Sequence, residues 1–207
     1  MAITFPLWSF TMAIPTSSAL NQPLTKPGPI ALIGLMAMTR MDHFGSAFAL
    51  PDASLAVFFL AGLWFGGRGL FLTLLVLAGL IDYVAIAQMN VSDFCISPAY
   101  VFLIPAYGVL WAMGSHYREK DLTRLTDLAG LFGMLFLAVS LAFLLTNGSF
   151  YLLSDNVSNR SWDAFLGQFT RYYPHYLTGT MTYAAAIVLP VILFKGIIAH
   201  RWTSKSL

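Results

Sequence analysis

Cys95 is the only cysteine in the chain and lies in the stretch SDFCISPAY, residues 92–100. Asp93 precedes it, Ser97 and Pro98 follow it, and Tyr100 falls in the first turn of the next predicted helix. A thiol near a helix N-terminus ionises more readily, which makes it a better nucleophile and a soft metal ligand. A lone cysteine in an apolar chain can also be an inert packing residue. The residues alone leave both interpretations of Cys95 open.

Two more residues have side chains that could take part in a site. Asp82 lies in LAGLIDYVAIAQM, inside a predicted membrane span and near its outer end. Ionisable groups at that depth are costly and usually line a site or cavity, and the alternative is a structural carboxyl paired with a neighbouring helix. His43 follows Asp42 at the outer end of the weakest predicted span. A histidine in that place is either an interfacial residue or a ligand.

The composition indicates whether water or lipid surrounds most of the chain. Hydrophobic residues make up 58% of the chain and charged residues 10%, whereas a soluble domain has about 25% charged residues. The chain is therefore predicted to be an integral membrane protein. A net charge of +2 gives no indication of nucleic-acid binding. The sequence contains no P-loop, and its four histidines and one cysteine lack zinc-type spacing.

Six apolar segments are predicted to be transmembrane helices, since about 20 apolar residues cross the hydrocarbon core. Pro105 is expected to kink the fourth segment, and the first is weak because it reaches residue 45 only by including charged residues. Residues 1–27 are expected to be an extension that is weakly ordered or interfacial, and residues 28–207 a single membrane domain. The six segments are 28–39, 52–67, 69–89, 98–114, 126–148 and 177–199.

Loop charge predicts the orientation of these spans. The loop SHYREKDLTR carries three cations between two clear spans, so it is expected to be cytoplasmic. Both termini then lie in the cytoplasm, with eight Lys/Arg residues inside and three outside. The loop that carries Cys95 and the polar, aromatic segment 149–176 lie on the outer face. At 28 residues, segment 149–176 is longer than a plain connector and is predicted to be a loop that acts as a lid.

The stretches DHFGSAFALPDASLAVFFLAG, LIDYVAI and FCISPAYVFLIPAYGVLW, between about residues 39 and 114, resemble the BtuM family. These are small bacterial membrane proteins predicted to take up vitamin B12. They are related in fold to the substrate-binding S-components of ECF-type ABC transporters. The resemblance implies an all-α, six-helix S-component-like fold in the bacterial inner membrane, with the substrate site on the periplasmic side.

The resemblance also implies roles for single residues. Cys95 matches the family's cysteine, an axial ligand to the cobalt of cobalamin whose nucleotide base is off the metal. His43, Asp82 and Tyr100 match further binding residues, and Cys95 would be the catalytic residue if cyanide is stripped from cyanocobalamin. Cobalamin is then the expected ligand, and no other cofactor is implied.

Three functions remain open at this point. The favoured one is cobalamin uptake across the lipid bilayer, energised by an ECF module of a transmembrane component and ATPases or performed by this chain alone. The second is an enzyme that uses Cys95 as a nucleophile. The third is a structural or assembly subunit of a membrane complex that binds no ligand.

Overall fold

The structure is a computed structural model, and it describes residues 24, 26–41, 51–89, 97–155, 157 and 160–203. Most of these residues are helical and none of them lies in a strand, which confirms the all-α prediction. The predicted extension, residues 1–27, lies almost entirely outside them. A 3₁₀ helix, Pro98–Phe102, precedes the fourth α-helix. The six α-helices of the described residues are α1 (Pro27–Met41), α2 (Ser54–Trp64), α3 (Arg68–Met89), α4 (Leu103–His116), α5 (Leu125–Leu153) and α6 (Trp162–Thr203).

Four helical stretches are long and apolar enough to cross a membrane, namely Arg68–Gln88, Pro98–His116, Leu125–Leu153 and Trp162–Phe194. By length and composition they indicate a membrane protein. With 15 and 11 residues, α1 and α2 extend only about 22 Å and about 16 Å at about 1.5 Å per residue. Both are shorter than the roughly 30 Å hydrocarbon core. Crossing by all six helices and the cytoplasmic position of both termini stay predictions.

The short helix α2 lies at the centre of the molecule. It packs mainly against α4 and also contacts α1, α3 and α6. Its residues are apolar all round, as expected of a helix surrounded by others. Phe58 of α2 is fully buried and stacks on Tyr107 of α4 with ring centroids 4.1 Å apart. Burial on every side makes α2 the element around which the other helices are placed.

Glycines allow α2 and α4 to approach closely. A Cβ atom on Gly62 would collide with the Trp111 carbonyl oxygen, and one on Gly114 would collide with the Phe59 carbonyl oxygen. Such small residues let membrane helices bring their backbones together. Helix α2 ends at Trp64, and Gly66, two residues later, has a φ of 60°, which suits glycine. The Gly62 carbonyl at this end accepts a hydrogen bond of 2.8 Å from Arg118 Nη2.

The prediction that residues 149–176 form one long loop is wrong. Helix α5 continues to Leu153 and α6 begins at Trp162, so most of the segment is helical. The aromatic side chains that suggested a lid recur at helical spacing and pack on α5. Phe143 of α5 makes edge contacts, each 5.3 Å between ring centroids, with Phe169, Tyr173 and Tyr176. The two helices therefore form a hairpin rather than two spans joined by a long loop.

Pro105 lies at the third residue of α4, directly after the 3₁₀ helix. A proline is tolerated in the first turn of a helix because its missing N–H would have no partner there. Pro105 therefore coincides with the change from 3₁₀ to α-helix.

Candidate functional site

A cluster of polar side chains joins α1, α2, α3 and the 3₁₀–α4 segment inside the molecule. Its centre is the buried Arg40 of α1. Arg40 Nε and Nη2 donate to the two carboxylate oxygens of Asp82 at 2.7 and 2.6 Å. Arg40 Nη1 faces three further acceptors at 2.9 to 3.1 Å, on Asp52, Ser54 and Tyr107. We call the following residues the Arg40 cluster: Arg40, Asp52, Ser54, Asp82, Tyr100 and Tyr107.

Asp82 is paired with a neighbouring helix, the structural alternative raised by its sequence position. Its carboxylate accepts two hydrogen bonds from Arg40 in a bidentate arrangement. Tyr100 Oη donates a third, at 2.5 Å, to Asp82 Oδ2. Bidentate arginine–carboxylate pairs are among the strongest polar contacts in proteins. The structure thus brings together two of the predicted site residues, Asp82 and Tyr100. Their contact with a ligand stays a prediction.

Side chains around the cluster also hold the start of α2. Asp52 Oδ1 accepts hydrogen bonds from the backbone N–H of Ser54 at 2.9 Å and from its hydroxyl at 2.6 Å. Thr39 Oγ1 of α1 accepts from the Ala53 N–H at 3.1 Å. The first N–H groups of a helix have no partner within the helix. The two side-chain oxygens accept from the N–H of Ser54, the first residue of α2, and from the N–H of Ala53 just before it. The polar residues before α2 therefore determine where it begins.

The cluster is balanced in hydrogen bonds but not in formal charge. Among the described residues, no buried side-chain nitrogen or oxygen lacks a hydrogen-bond partner. One guanidinium faces two carboxylates, of Asp52 and Asp82, and the Asp52 side chain is 25% exposed. A buried charge is tolerated only when it is paired in this way. Asp52 is the acidic member of the cluster that reaches solvent.

Sequence reasoning missed Arg40, which was counted only as a charge on the outer side. A signal for it existed. Arg40 is the 14th residue of α1 and Asp82 the 15th residue of α3. In the predicted six-span topology the first and third spans run in the same direction, so the opposite charges are expected at similar depth. Ionisable residues within spans usually pair with each other. A charge pair between these spans could therefore have been proposed.

Two predicted site residues, His43 and Cys95, lie outside the described residues. His43 follows Arg40 by three positions in the chain, and Cys95 precedes Ser97 by two. Within the described part of the chain, no group of three His, Cys, Asp or Glu side chains could hold a metal ion. A metal that is part of the substrate would not require such a group.

Helix α6 extends well beyond the cluster on the predicted outer side. Tyr183 Oη donates to the carbonyl oxygen of Pro51, next to Asp52, at 2.8 Å. From Tyr183 to Trp162, α6 continues for 21 residues, about 31 Å at about 1.5 Å per residue. The cluster therefore lies at the level where α2 begins, with the α5–α6 hairpin rising beside it.

No family model matches the chain, and no curated protein matches it.

Proposed function

We propose that this chain is a membrane protein that binds cobalamin at the outer face of the bacterial inner membrane and takes it up. In this proposal, Cys95 is the axial ligand to cobalt. His43, Asp82 and Tyr100 form or support the surrounding site.

One observation carries the proposal from the structural side. The Arg40–Asp52 ion pair, 3.1 Å long, closes the base of the connection between α1 and α2, which contains His43. The hydrogen bond from Tyr100 to Asp82 joins the 3₁₀ helix to α3, seven residues before the end of α3 and the connection that contains Cys95. The Arg40–Asp82 ion pair links this contact to α1. The helices that flank the two segments predicted to bind cobalamin therefore share one cluster.

This arrangement assigns Asp82 and Tyr100 a role that differs from direct ligation. The hydrogen bonds of Asp82 to Arg40 and Tyr100 already engage both carboxylate oxygens. We therefore infer that Asp82 positions the two segments rather than contacting the corrin ring itself. Tyr100 is half-buried, and its hydroxyl donates to Asp82.

The chemistry expected of Cys95 follows from the properties of a thiolate. A thiolate is a soft, strongly donating ligand that suits cobalt. If cyanocobalamin is bound, the sulfur forms a bond to cobalt(III) as cyanide leaves with its bonding electron pair. The thiol proton is available to cyanide, so hydrogen cyanide is released and no redox change is needed. One equivalent of cyanide per bound cobalamin is the expected yield.

An absorbance titration tests the proposal. Purified protein is incubated with cyanocobalamin, and the corrin spectrum is compared between the natural chain and Cys95→Ala. A shifted spectrum that requires the cysteine is expected. Bound cobalamin with the same unshifted spectrum in both proteins would remove the role of the thiol. If well-folded protein bound no corrinoid, the proposed function would be rejected in favour of a structural subunit.

A second experiment addresses how uptake is energised. Proteoliposomes that contain only this chain are loaded with a cobalamin trap, and uptake of labelled cobalamin is measured. Uptake above that of Cys95→Ala liposomes would indicate that the chain acts alone. Binding without uptake would indicate that an ECF-type module is required.

A further inference from the structure

A pocket of about 140 Å³ lies at the end of α2 that is opposite the Arg40 cluster. It is bounded by the last residues of α2, by the loop between α4 and α5, and by α6. Its lining combines cationic side chains with apolar and aromatic ones. We call it the loop pocket, and its principal lining residues are Leu63, Trp64, Arg118, Lys120, Leu122 and Val191.

The loop pocket lies where the apolar helices end. The apolar stretches Pro98–His116 and Leu125–Leu153 lie on either side of the loop that contributes the cations. On α6, Val191 lies three residues before the end of the apolar stretch Trp162–Phe194. Tryptophan is enriched where the hydrocarbon core meets the lipid headgroups, and Trp64 lines the pocket. The pocket is therefore at the level of the headgroups.

The two cations of the loop pocket lack an acidic partner. Among the residues that the structure describes, neither Arg118 nor Lys120 forms an ion pair with a carboxylate. Arg118 Nη2 donates to the Gly62 carbonyl oxygen at 2.8 Å, which fixes the guanidinium at the end of α2. A guanidinium has five N–H donors, so one bond to the backbone leaves donors for a ligand.

The acidic residue that lines the pocket, Asp121, has other partners. Its Oδ1 accepts hydrogen bonds from the backbone N–H of Thr123 at 3.2 Å and from the Thr123 hydroxyl at 2.6 Å. Its Oδ2 lies 3.6 Å from Arg124 Nε. The carboxylate is thus paired within its own turn of the loop, and the positive charges of Arg118 and Lys120 remain for an anion.

The size and lining of the loop pocket favour the phosphate group of a lipid. Pockets for drug-sized ligands and cofactors measure about 300 to 1,000 Å³, more than twice the volume found here. Arg and Lys are the usual partners of phosphate oxygens. A free anion would not use the apolar side chains of Leu122 and Val191, whereas a phospholipid carries a phosphate and apolar chains in one molecule. Basic pockets between membrane helices are known to bind lipid headgroups.

We propose that the loop pocket binds the phosphate of an anionic phospholipid in the leaflet on the predicted cytoplasmic side. Arg118 and Lys120 bind the phosphate oxygens, and an acyl chain lies along Val191 of α6. No residue of the Arg40 cluster lines the pocket, so the inference does not depend on cobalamin binding. Because Arg118 also holds the end of α2, bound lipid stabilises the folded chain.

Native mass spectrometry of the delipidated protein in a mild detergent tests this proposal. Phosphatidylglycerol should bind roughly tenfold more tightly than phosphatidylcholine, whose quaternary ammonium offsets the charge of its phosphate. Lys120→Gln should weaken phosphatidylglycerol binding about fivefold, the usual contribution of one cation at an anionic lipid surface. Arg118→Gln/Lys120→Gln should weaken it roughly twentyfold. Equal affinity for the two lipids, or unchanged affinity in Lys120→Gln, would overturn the proposal.

Arg124→Gln is the matched control. It removes one cation from the same loop, but Arg124 does not line the pocket and faces Asp121 instead. This variant should change phosphatidylglycerol affinity by less than about twofold, since an exposed charge at a distance is screened. If Arg124→Gln weakened binding as much as Lys120→Gln does, the lipid would be responding to the total charge of the loop, and the pocket would be rejected as its site.

Soluble phosphates separate a lipid from a free anion. Inorganic phosphate and glycerol 3-phosphate at millimolar concentration should leave phosphatidylglycerol bound, because they lack the chain that contacts Val191. Val191→Asn should weaken phosphatidylglycerol binding severalfold for the same reason. Displacement of the lipid by either soluble phosphate would assign the pocket to a soluble ligand and overturn the lipid.

A measurement on the unaltered protein covers the case in which Arg118→Gln fails to fold. Phosphatidylglycerol should raise the melting temperature of the natural chain in detergent, whereas phosphatidylcholine should not. Lys120→Gln removes no hydrogen bond of the described structure, and its melting temperature should rise less with phosphatidylglycerol. Equal melting temperatures of the natural chain in the two lipids would contradict the proposal.

Discussion

Replacing Arg40 by methionine keeps a long side chain and removes the charge at the centre of the cluster. The change leaves the Asp82 carboxylate buried with only Tyr100 as a partner and removes the ion pair to Asp52. Breaking a buried ion pair by removing one partner costs about 3 to 5 kcal/mol. For a chain of this length, that corresponds to a fall in melting temperature of roughly 6 to 20 °C.

A double variant separates the ion pair from simple packing. Arg40→Met combined with Asp82→Leu removes both charges and leaves the hydroxyls of Tyr100 and Tyr107 without their charged partners. We expect this protein to be more stable than Arg40→Met alone, because the Asp82 carboxylate no longer stays buried without its cation, and the Asp52 carboxylate, which is 25% exposed, keeps its hydrogen bonds from Ser54. The two single losses should therefore not add.

The measurement is thermal unfolding in detergent, followed by static light scattering and by intrinsic fluorescence. Arg124→Met is the matched control, since Arg124 is exposed and its contact with Asp121 is 3.6 Å long. Exposed ion pairs contribute at most about 1 kcal/mol, so this control should melt within a few degrees of the natural chain. Two outcomes would contradict this reasoning. One is an Arg40→Met protein that melts at the same temperature as Arg124→Met. The other is a double variant whose loss of stability equals the sum of the two single losses, since the cluster would then not hold α1, α2 and α3 together.

Two further predictions concern the opposite ends of the bundle. Gly66→Ala should lower the melting temperature by several degrees, because Gly66 has a φ of 60° and an added Cβ would collide with the Arg118 guanidinium. Gly133→Ala, at a helical position with no atom within 4 Å of the new Cβ, should have no such effect, and equal melting of the two would contradict the strain argument. A thiol reagent that cannot cross membranes should label Cys95 from outside intact cells, with bound cobalamin slowing the reaction. Labelling only after the cytoplasmic side is opened would overturn the predicted orientation.

The α5–α6 hairpin shows where sequence patterns mislead. Segment 149–176 contains many polar and aromatic residues, and its overall composition predicted a loop. Its aromatic residues nevertheless repeat at helical spacing, as in Phe165, Phe169 and Tyr173, which line the side facing α5. Composition averages over a window, whereas helix formation depends on which positions share a face. The periodicity of the rings contained the information that the composition concealed.

The Arg40 cluster shows a different limit. A buried carboxylate at Asp82 was predictable, because an ionisable residue within an apolar span must find a partner or a site. The identity of the partner was not predictable from Asp82 alone. Arg40 and Asp82 are 42 residues apart, and their contact depends on α1 packing against α3. The expectation that Asp82 and Tyr100 serve one site is consistent with their contact, but the residue that organises both was missed.

The sequence by itself determined the helical character, the order of the helices and the preference for a membrane. Long apolar runs have few ways to satisfy their backbone hydrogen bonds in lipid, so these properties follow from local composition. Only the tertiary structure decided that α2 is enclosed by its neighbours, that segment 149–176 continues two helices, and that one arginine joins α1 to the start of α2 and to α3. These features depend on which helix faces meet, and the free energy of that choice is shared among residues far apart in the chain.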